Sequence, residues 1–280
     1  TRGDEVSRNP EQIFDEVARL IEQGVSEITF VGQNVNSYRY SFKGRMLSLS
    51  DLIEVCGAIV GVDRIRYTTS HPLDMTDDLI DIYGHVPQLV SHLHLPVQSG
   101  SNEILTKMKR NYTREDYLQI ISKLKRARSN IKISSDFIVG FPNETNKDFQ
   151  QTMDLIEKVQ FDASFSFIFS PRPGTPASQL EDKTPPTQKK ERLQILQDRI
   201  DYFQRRYSKE LVGTIQRCLV TGVSKKDSKQ LQARTECNRV VNFDFQNINI
   251  LGKLVDINII EAYSHSLAGK IFNPEERYSA

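Results

Sequence analysis

The sequence predicts an α/β protein, a partial parallel (β/α) barrel followed by a small all-β barrel. Three observations carry that prediction. Apolar β-branched runs alternate with amphipathic helical stretches up to Phe169, most of them joined by short loops, which is the pattern of parallel β/α units. A proline-rich stretch, Pro171 to Pro186, then leads into a long periodic helix. Beyond Gly213 the period changes to short alternating strands.

The elements follow in order. Asn9-Pro10 starts a helix, with Ile13, Val17, Leu20 and Ile21 at helical spacing and Gly24 as its stop. A strand at Glu27–Val31 ends in Gly32-Gln33-Asn34. After a polar loop around Gly44 come a helix near Ser50–Ile59 and a strand at Arg64–Thr69. Thr76–Tyr83 reads as helix and Leu89–Leu95 as a strand stopped by Pro96. Thr113 with Asp116, and Thr145 with Asp148, have capping-box spacing ahead of two further helices. Between them, the β-branched run after Ile131 reaches a Gly140-Phe141-Pro142 turn, and Ala163–Phe169 is the last strand of the series. Five strands are too few for a closed eight-stranded barrel and suit an open one. Either form binds ligands at the C-terminal ends of its strands.

From Thr187 to Leu211 the stripe Leu193, Leu196, Ile200, Phe203, Tyr207 predicts a helix that packs on the first domain. It covers too few heptads for a coiled coil. The strands Gln216–Thr221, Leu231–Ala233, Val240–Phe243, Leu254–Ile260 and Leu267–Ile271 predict a barrel of the oligonucleotide-binding kind. The expected boundaries are 1–180 for the partial barrel, 181–212 for the connector and 213–274 for the small barrel.

Composition narrows the function. With 280 residues, 38% hydrophobic and 26% charged, the chain suits a globular protein, and its net charge of +1 requires any nucleic-acid contact to be local. Between Gly213 and Pro274 eight Lys/Arg oppose five Asp/Glu, a modest excess placed where a nucleic-acid module needs it. No apolar run approaches the roughly 20 residues of a membrane-spanning helix. Three scattered cysteines, Cys56, Cys218 and Cys237, argue against a secreted disulfide framework and for a reducing cytoplasm.

Taken singly, the polar strand ends are ordinary turns. Gly32-Gln33-Asn34 is a plain strand-to-loop triplet, and His71 a lone histidine. His92 and His94 share a strand face, but no carboxylate or cysteine stands at zinc-ligand spacing beside them. Four such ends in one β/α series nevertheless outline a cofactor pocket.

The runs Gly32-Gln33-Asn34-Val35-Asn36, Thr69-Ser70-His71-Pro72, His94-Leu95-Pro96-Val97-Gln98-Ser99-Gly100-Ser101, Asp136 to Pro142 and Arg172-Pro173-Gly174-Thr175-Pro176, in this order, closely resemble the radical S-adenosylmethionine methylthiotransferases. They are most similar to the MiaB-type enzymes, which attach a methylthio group to C2 of the prenylated adenosine beside the tRNA anticodon. The C-terminal barrel resembles a TRAM domain, with Arg234 to Phe243 as its tRNA-type signature.

That resemblance implies S-adenosylmethionine as cofactor, held by Gln33, Asn34, Ser70, His94, Gln98, Ser99, Val139 and Gly140, with Arg172 meeting substrate or a carboxylate. It implies RNA contacts from Arg217, Arg234, Asn238, Arg239, Asn242 and Phe243, with the tRNA anticodon stem-loop as partner. The family's Cys-x3-Cys-x2-Cys motif and auxiliary-cluster domain are expected before Thr1. Thr1 thus reads as a cut edge, with the first β/α unit and the ligands of two 4Fe–4S clusters absent, and the fragment alone is expected to be inactive. Catalytic residues are not assigned. The implied reaction cleaves S-adenosylmethionine to a 5′-deoxyadenosyl radical that abstracts the hydrogen at C2. Sulfur then comes from the auxiliary cluster, and its methyl group from a second S-adenosylmethionine. A flavodoxin-like electron donor, a monomeric state and a cytoplasmic setting complete the expectation. Two alternatives remain: a sibling acting on a ribosomal-protein aspartate or on threonylcarbamoyl-adenosine in tRNA, and a non-catalytic RNA-binding protein.

Overall fold

The structure is a computed structural model that describes residues 6–225, 227–244 and 248–273. Thr1 and Pro274, used above as boundaries, and Lys226 lie outside the described residues. The first helix, α1 (Pro10–Glu22), opens on Asn9, whose side chain accepts from the Glu11 amide. Strand β1 (Glu27–Phe30) follows. The expected loop around Gly44 is instead a hairpin, β2 (Arg39–Phe42) against β3 (Arg45–Ser48). Its turn residues Lys43 and Gly44 take φ of 50° and 80°, as a tight two-residue turn requires. Lysine at the first of these positions gave no sequence signal.

Next come α2 (Leu49–Gly57), β4 (Arg64–Tyr67), α3 (Asp77–His85) and β5 (His92–His94). A short helix not foreseen, α4 (Asn102–Lys107), starts where the Ser101 hydroxyl accepts from the Ile104 amide. The two expected capping boxes open α5 (Arg114–Ala127) and α6 (Asn146–Val159), with β6 (Lys132–Val139) between them. Strand β7 (Ala163–Ile168) and the 25-residue α7 (Pro186–Glu210) end the first domain.

Among the described residues all three ladder pairings of these strands are parallel: β1 with β4, β5 with β6, and β6 with β7. An isolated parallel bridge, Ile65 to Leu89, joins the two groups. The open sheet has the order β1-β4-β5-β6-β7, and among the described residues no strand covers the outer edge of β1 or β7. Along β6, Ile133, Ser135, Phe137 and Val139 are buried among the helices, while Ser134 and Asp136 reach a cavity on the concave face. The helix side is one continuous core that includes Ile65, Leu93, Phe137, Leu155 and Phe161 and also takes Leu196, Ile200 and Phe203 of α7. Each such side chain contributes about 1.5–3 kcal/mol by leaving water. The long helix packs on the first domain, as its stripe predicted.

The remaining strands, β8 (Ile215–Val223), β9 (Gln230–Arg234), β10 (Val240–Asp244), β11 (Leu254–Ala262) and β12 (Leu267–Ile271), close into a barrel. Its core holds Cys218, Val220, Leu231, Val241, Phe243, Ile257 and Ile259. Phe243 is therefore a correction to the expected RNA contacts. Alternation along β10 turns it inward, 1% exposed, and it offers no face to a base.

The small barrel sits against the N-terminal ends of the parallel strands. Arg239 donates through both terminal nitrogens to the Asp162 carboxylate, at 3.1 Å for Nη1 to Oδ2, and through Nε to the Ser208 hydroxyl of α7 at 3.0 Å. Glu236 accepts from the Ser91 amide at 2.6 Å, and its backbone carbonyl from Arg66 at 3.1 Å. Arg64 donates to the carbonyls of Arg217 and Arg234. Arg239, at 9% exposure, is thus the second correction: its charge is spent on Asp162 inside the domain junction rather than on phosphate.

Candidate functional site

The concave face of the open sheet and the loops of the small barrel enclose a cavity of ≈ 540 Å³. It runs from the strand ends, at Thr69, Ser70 and Pro96, past His94, Ser134, Asp136 and Phe165, to Asn238, Arg239 and His265 of the barrel. His94 is held on three sides. Its Nδ1 lies 2.9 Å from the Ser134 hydroxyl, its Nε2 lies 3.3 Å from Asp136 Oδ1, and its ring meets Phe165 edge-on at 5.9 Å. His92, one layer deeper, is pushed down to about 3 by burial and then by the Arg66 charge, so it stays neutral at physiological pH.

The strand ends carry backbone strain and unspent polar atoms. Thr69, after β4, takes φ of 62°, and Gln98, after β5, takes 72°. A β-branched residue in that region is an outlier that clusters at functional sites. The Ser70 hydroxyl and Asn34 Oδ1 are buried with no hydrogen-bond partner among the described residues. Asp136 Oδ1, within ion-pair range of His94, is not aligned as a hydrogen bond. Buried polar groups are almost always paired, so three such atoms at the strand ends mark a place prepared for a ligand.

The Radical SAM superfamily profile matches residues 1–156. The chain belongs to the Radical SAM superfamily. A TRAM domain profile matches residues 209–272, the closed barrel. Two curated relatives are both named tRNA-2-methylthio-N(6)-dimethylallyladenosine synthase. That of Haemophilus ducreyi is 53% identical over 278 residues, covering 99% of this chain and 58% of the relative. That of Pseudomonas savastanoi pv. phaseolicola is 55% identical over 272 residues, covering 97% and 62%. The chain thus spans about three fifths of the relatives' length. The solved coproporphyrinogen III oxidase of Escherichia coli, described as a Radical SAM enzyme, superposes with a TM-score of 0.51 at 15% identity. It covers 81% of this chain and 60% of its own, which shows the fold alone.

Within the radical SAM domain the expected cofactor residues divide. Asn34, Ser70, His94 and Gln98 gather at or below the strand ends of β1, β4 and β5, and Gln33 is exposed beside them. Ser99 does not join them. It is 0% exposed and packs its hydroxyl against Thr152 of α6, at 3.3 Å, because the loop turns it away from the cavity. Val139 also points to the helices. The Gly140 amide, expected to help hold the cofactor, donates to Glu144 at 2.9 Å, and the Val139 carbonyl accepts from the Phe169 amide. Arg172 is exposed in the loop beyond β7.

His71 is a turn cap. Its Nδ1 accepts from the Leu73 amide, and burial followed by the Arg110 charge lowers its pKa. In the TRAM barrel Arg217 is exposed, with Asp63 at 3.3 Å, and Arg234 is half-buried and donates to Asn238. Asn238 is exposed at the cavity, and Asn242 stands half-buried on the barrel's outer face.

Sequence reasoning missed Thr69, Asp136 and Phe165 as site residues. Asp136 had a usable signal, an acid interrupting an apolar strand. Phe165 alternates with serines, which shows a two-faced strand but not which face is the cavity. Among the described residues no three His, Cys, Asp or Glu side chains converge on a metal position. Cys56 and Cys218 lie in separate cores, with thiols pushed up to about 12 by burial.

Proposed function

We propose that this chain carries the S-adenosylmethionine site and the RNA-docking barrel of an enzyme that methylthiolates C2 of N6-dimethylallyladenosine beside the tRNA anticodon. The observation that carries the reading is identity of 53–55%, across 97–99% of the chain, with relatives named for that product. The geometry is in keeping with it. S-adenosylmethionine is a zwitterion with a ribose and a purine, and the strand ends offer what it needs. Asn34 Oδ1 stands unspent for its polar groups. His94, oriented by Ser134, and Gln98, at the end of β5, are the residues that would hold its ribose.

When bound, S-adenosylmethionine supplies the methyl and radical chemistry of the superfamily, and the protein supplies placement and exclusion of water. The two 4Fe–4S clusters of this reading take their ligands from outside the described residues, and a flavodoxin-like protein supplies electrons. Asn238 and His265 of the barrel line the same cavity as His94 and Asp136, so an RNA held on the barrel lies beside the chemistry. A non-catalytic RNA-binding role leaves the orphaned atoms at the strand ends without a purpose.

Mass spectrometry of tRNA and ribosomal proteins from a strain lacking the gene tests the reading. Loss of the 2-methylthio group from tRNA, with the dimethylallyl group retained, is expected. Intact tRNA with loss of methylthio from a ribosomal protein overturns it.

A further inference from the structure

Phe165 and Phe167 are 64% and 57% exposed, whereas Tyr67 and Phe137, on the neighbouring parallel strands, are buried. Both lie on one face of β7, two residues apart, where Phe165 lines the cavity with His94, Asp136 and Ser70. Their register partners on β6 are Asp136 and Ile138. Across the cavity, Ser70 is 6% exposed with its hydroxyl unpartnered. One wall is therefore aromatic and wet, and the other holds polar atoms with nothing to bind.

A flat heteroaromatic ring satisfies both walls at once. Its face covers Phe165, as bases stack on aromatic side chains in single-stranded RNA recognition. Its ring nitrogens reach the polar side. Phe167 and Ile138, nearer the strand ends, are then left to an apolar branch on that ring. We infer that the Phe165–Phe167 wall is a base-recognition site, taking a purine swung out of an RNA loop and selecting a branched apolar group on its exocyclic nitrogen. This rests on the reading that the substrate is a prenylated adenosine in RNA.

The chain contains no tryptophan, so Phe165→Trp introduces a single fluorescent indole on the wall. Saturable quenching by N6-dimethylallyladenosine is expected, at a concentration at least 10-fold below that needed with adenosine. Adding Phe167→Ala should bring the two nucleosides together, with the circular dichroism spectrum unchanged. Equal response to both nucleosides in the Phe165→Trp protein, or a response to S-adenosylhomocysteine alone, overturns the site. An anticodon stem-loop oligonucleotide carrying the modified base separates this inference from the functional reading. If the stem-loop binds and the indole stays silent, the base site is wrong and the RNA reading stands. If the nucleoside quenches but the stem-loop does not bind, the base site stands and the RNA reading falls.

Discussion

Arg239 of the small barrel and Asp162 at the foot of β7 form a two-pronged ion pair that is almost entirely removed from solvent. Ser208 takes the third guanidinium donor, and Asp162 raises the Arg239 pKa although burial works against it. The pair joins the two domains through groups that neither domain satisfies alone.

Removing one partner should therefore cost more than removing both. Asp162→Ala strands a buried guanidinium and is expected to destabilise the chain by about 3–5 kcal/mol. The double change Asp162→Leu with Arg239→Met should recover most of that. Urea unfolding of the two variants checks it, and equal losses would show the pair to be energetically idle.

RNA affinity should depend on a different set of cations. Arg217, Lys229, Lys253 and Lys270 are exposed on the barrel. Replacing any that meets a phosphate by Ala should lower the slope of log K against log salt by about 1. Arg239→Ala should leave that slope unchanged while lowering stability. Filter binding of a tRNA stem-loop across a salt series separates the two classes.

Acid should loosen the domain through His92. Its pKa in the fold is about 3, well below the ordinary 6.5. A depressed histidine gives stability that is complete above about 6.5 and is lost as pH falls toward the folded value. At pH 5 the loss is about 2 kcal/mol, from about 1.4 kcal/mol per pH unit. His92→Gln should flatten that part of the curve, as measured by urea midpoints between pH 7.5 and 5.

Glu144 offers the opposite sign. It is buried, and burial raises its pKa above the usual carboxylate value even though the Gly140 amide and Arg192 favour the charge. Its contribution is greatest below the ordinary carboxylate range and falls as pH rises through the raised pKa. Arg192→Ala leaves the carboxylate buried without its cation and should cost about 3–5 kcal/mol at neutral pH. The loss should shrink on mild acidification, and a pH-independent loss would assign it to packing.

Much of this architecture was legible in local chemistry. Thr113 with Asp116 and Thr145 with Asp148 announced α5 and α6, and period alone separated the open sheet from the closed barrel. The site was legible only as a set of strand ends. Ser135 sits between Ser134 and Asp136 on β6, and a single step along the backbone sends a side chain from the cavity to the helices. Arg239 and Phe243 were misread for a related reason. A basic residue looks the same whether it faces RNA or another domain, and an aromatic one whether it faces RNA or its own barrel core; for Arg239 the difference lies in Asp162, far away in sequence. Lys43 and Thr69 hold left-handed backbone that their residue types disfavour, so nothing in their identity announced it.

One helix ties the two ends of the molecule together. Near its start, Arg192 grips Glu144 behind the Gly140 turn, and near its end Ser208 receives Arg239. From position 192 to position 208 a straight helix advances about 24 Å, and each added residue would swing the barrel by about 100°. The long helix therefore acts as a ruler and a clock hand at once. Surface residues along it are free to drift, but the number of residues between those two grips is not. A one-residue insertion should misalign the domains more severely than many exposed substitutions along the same stretch.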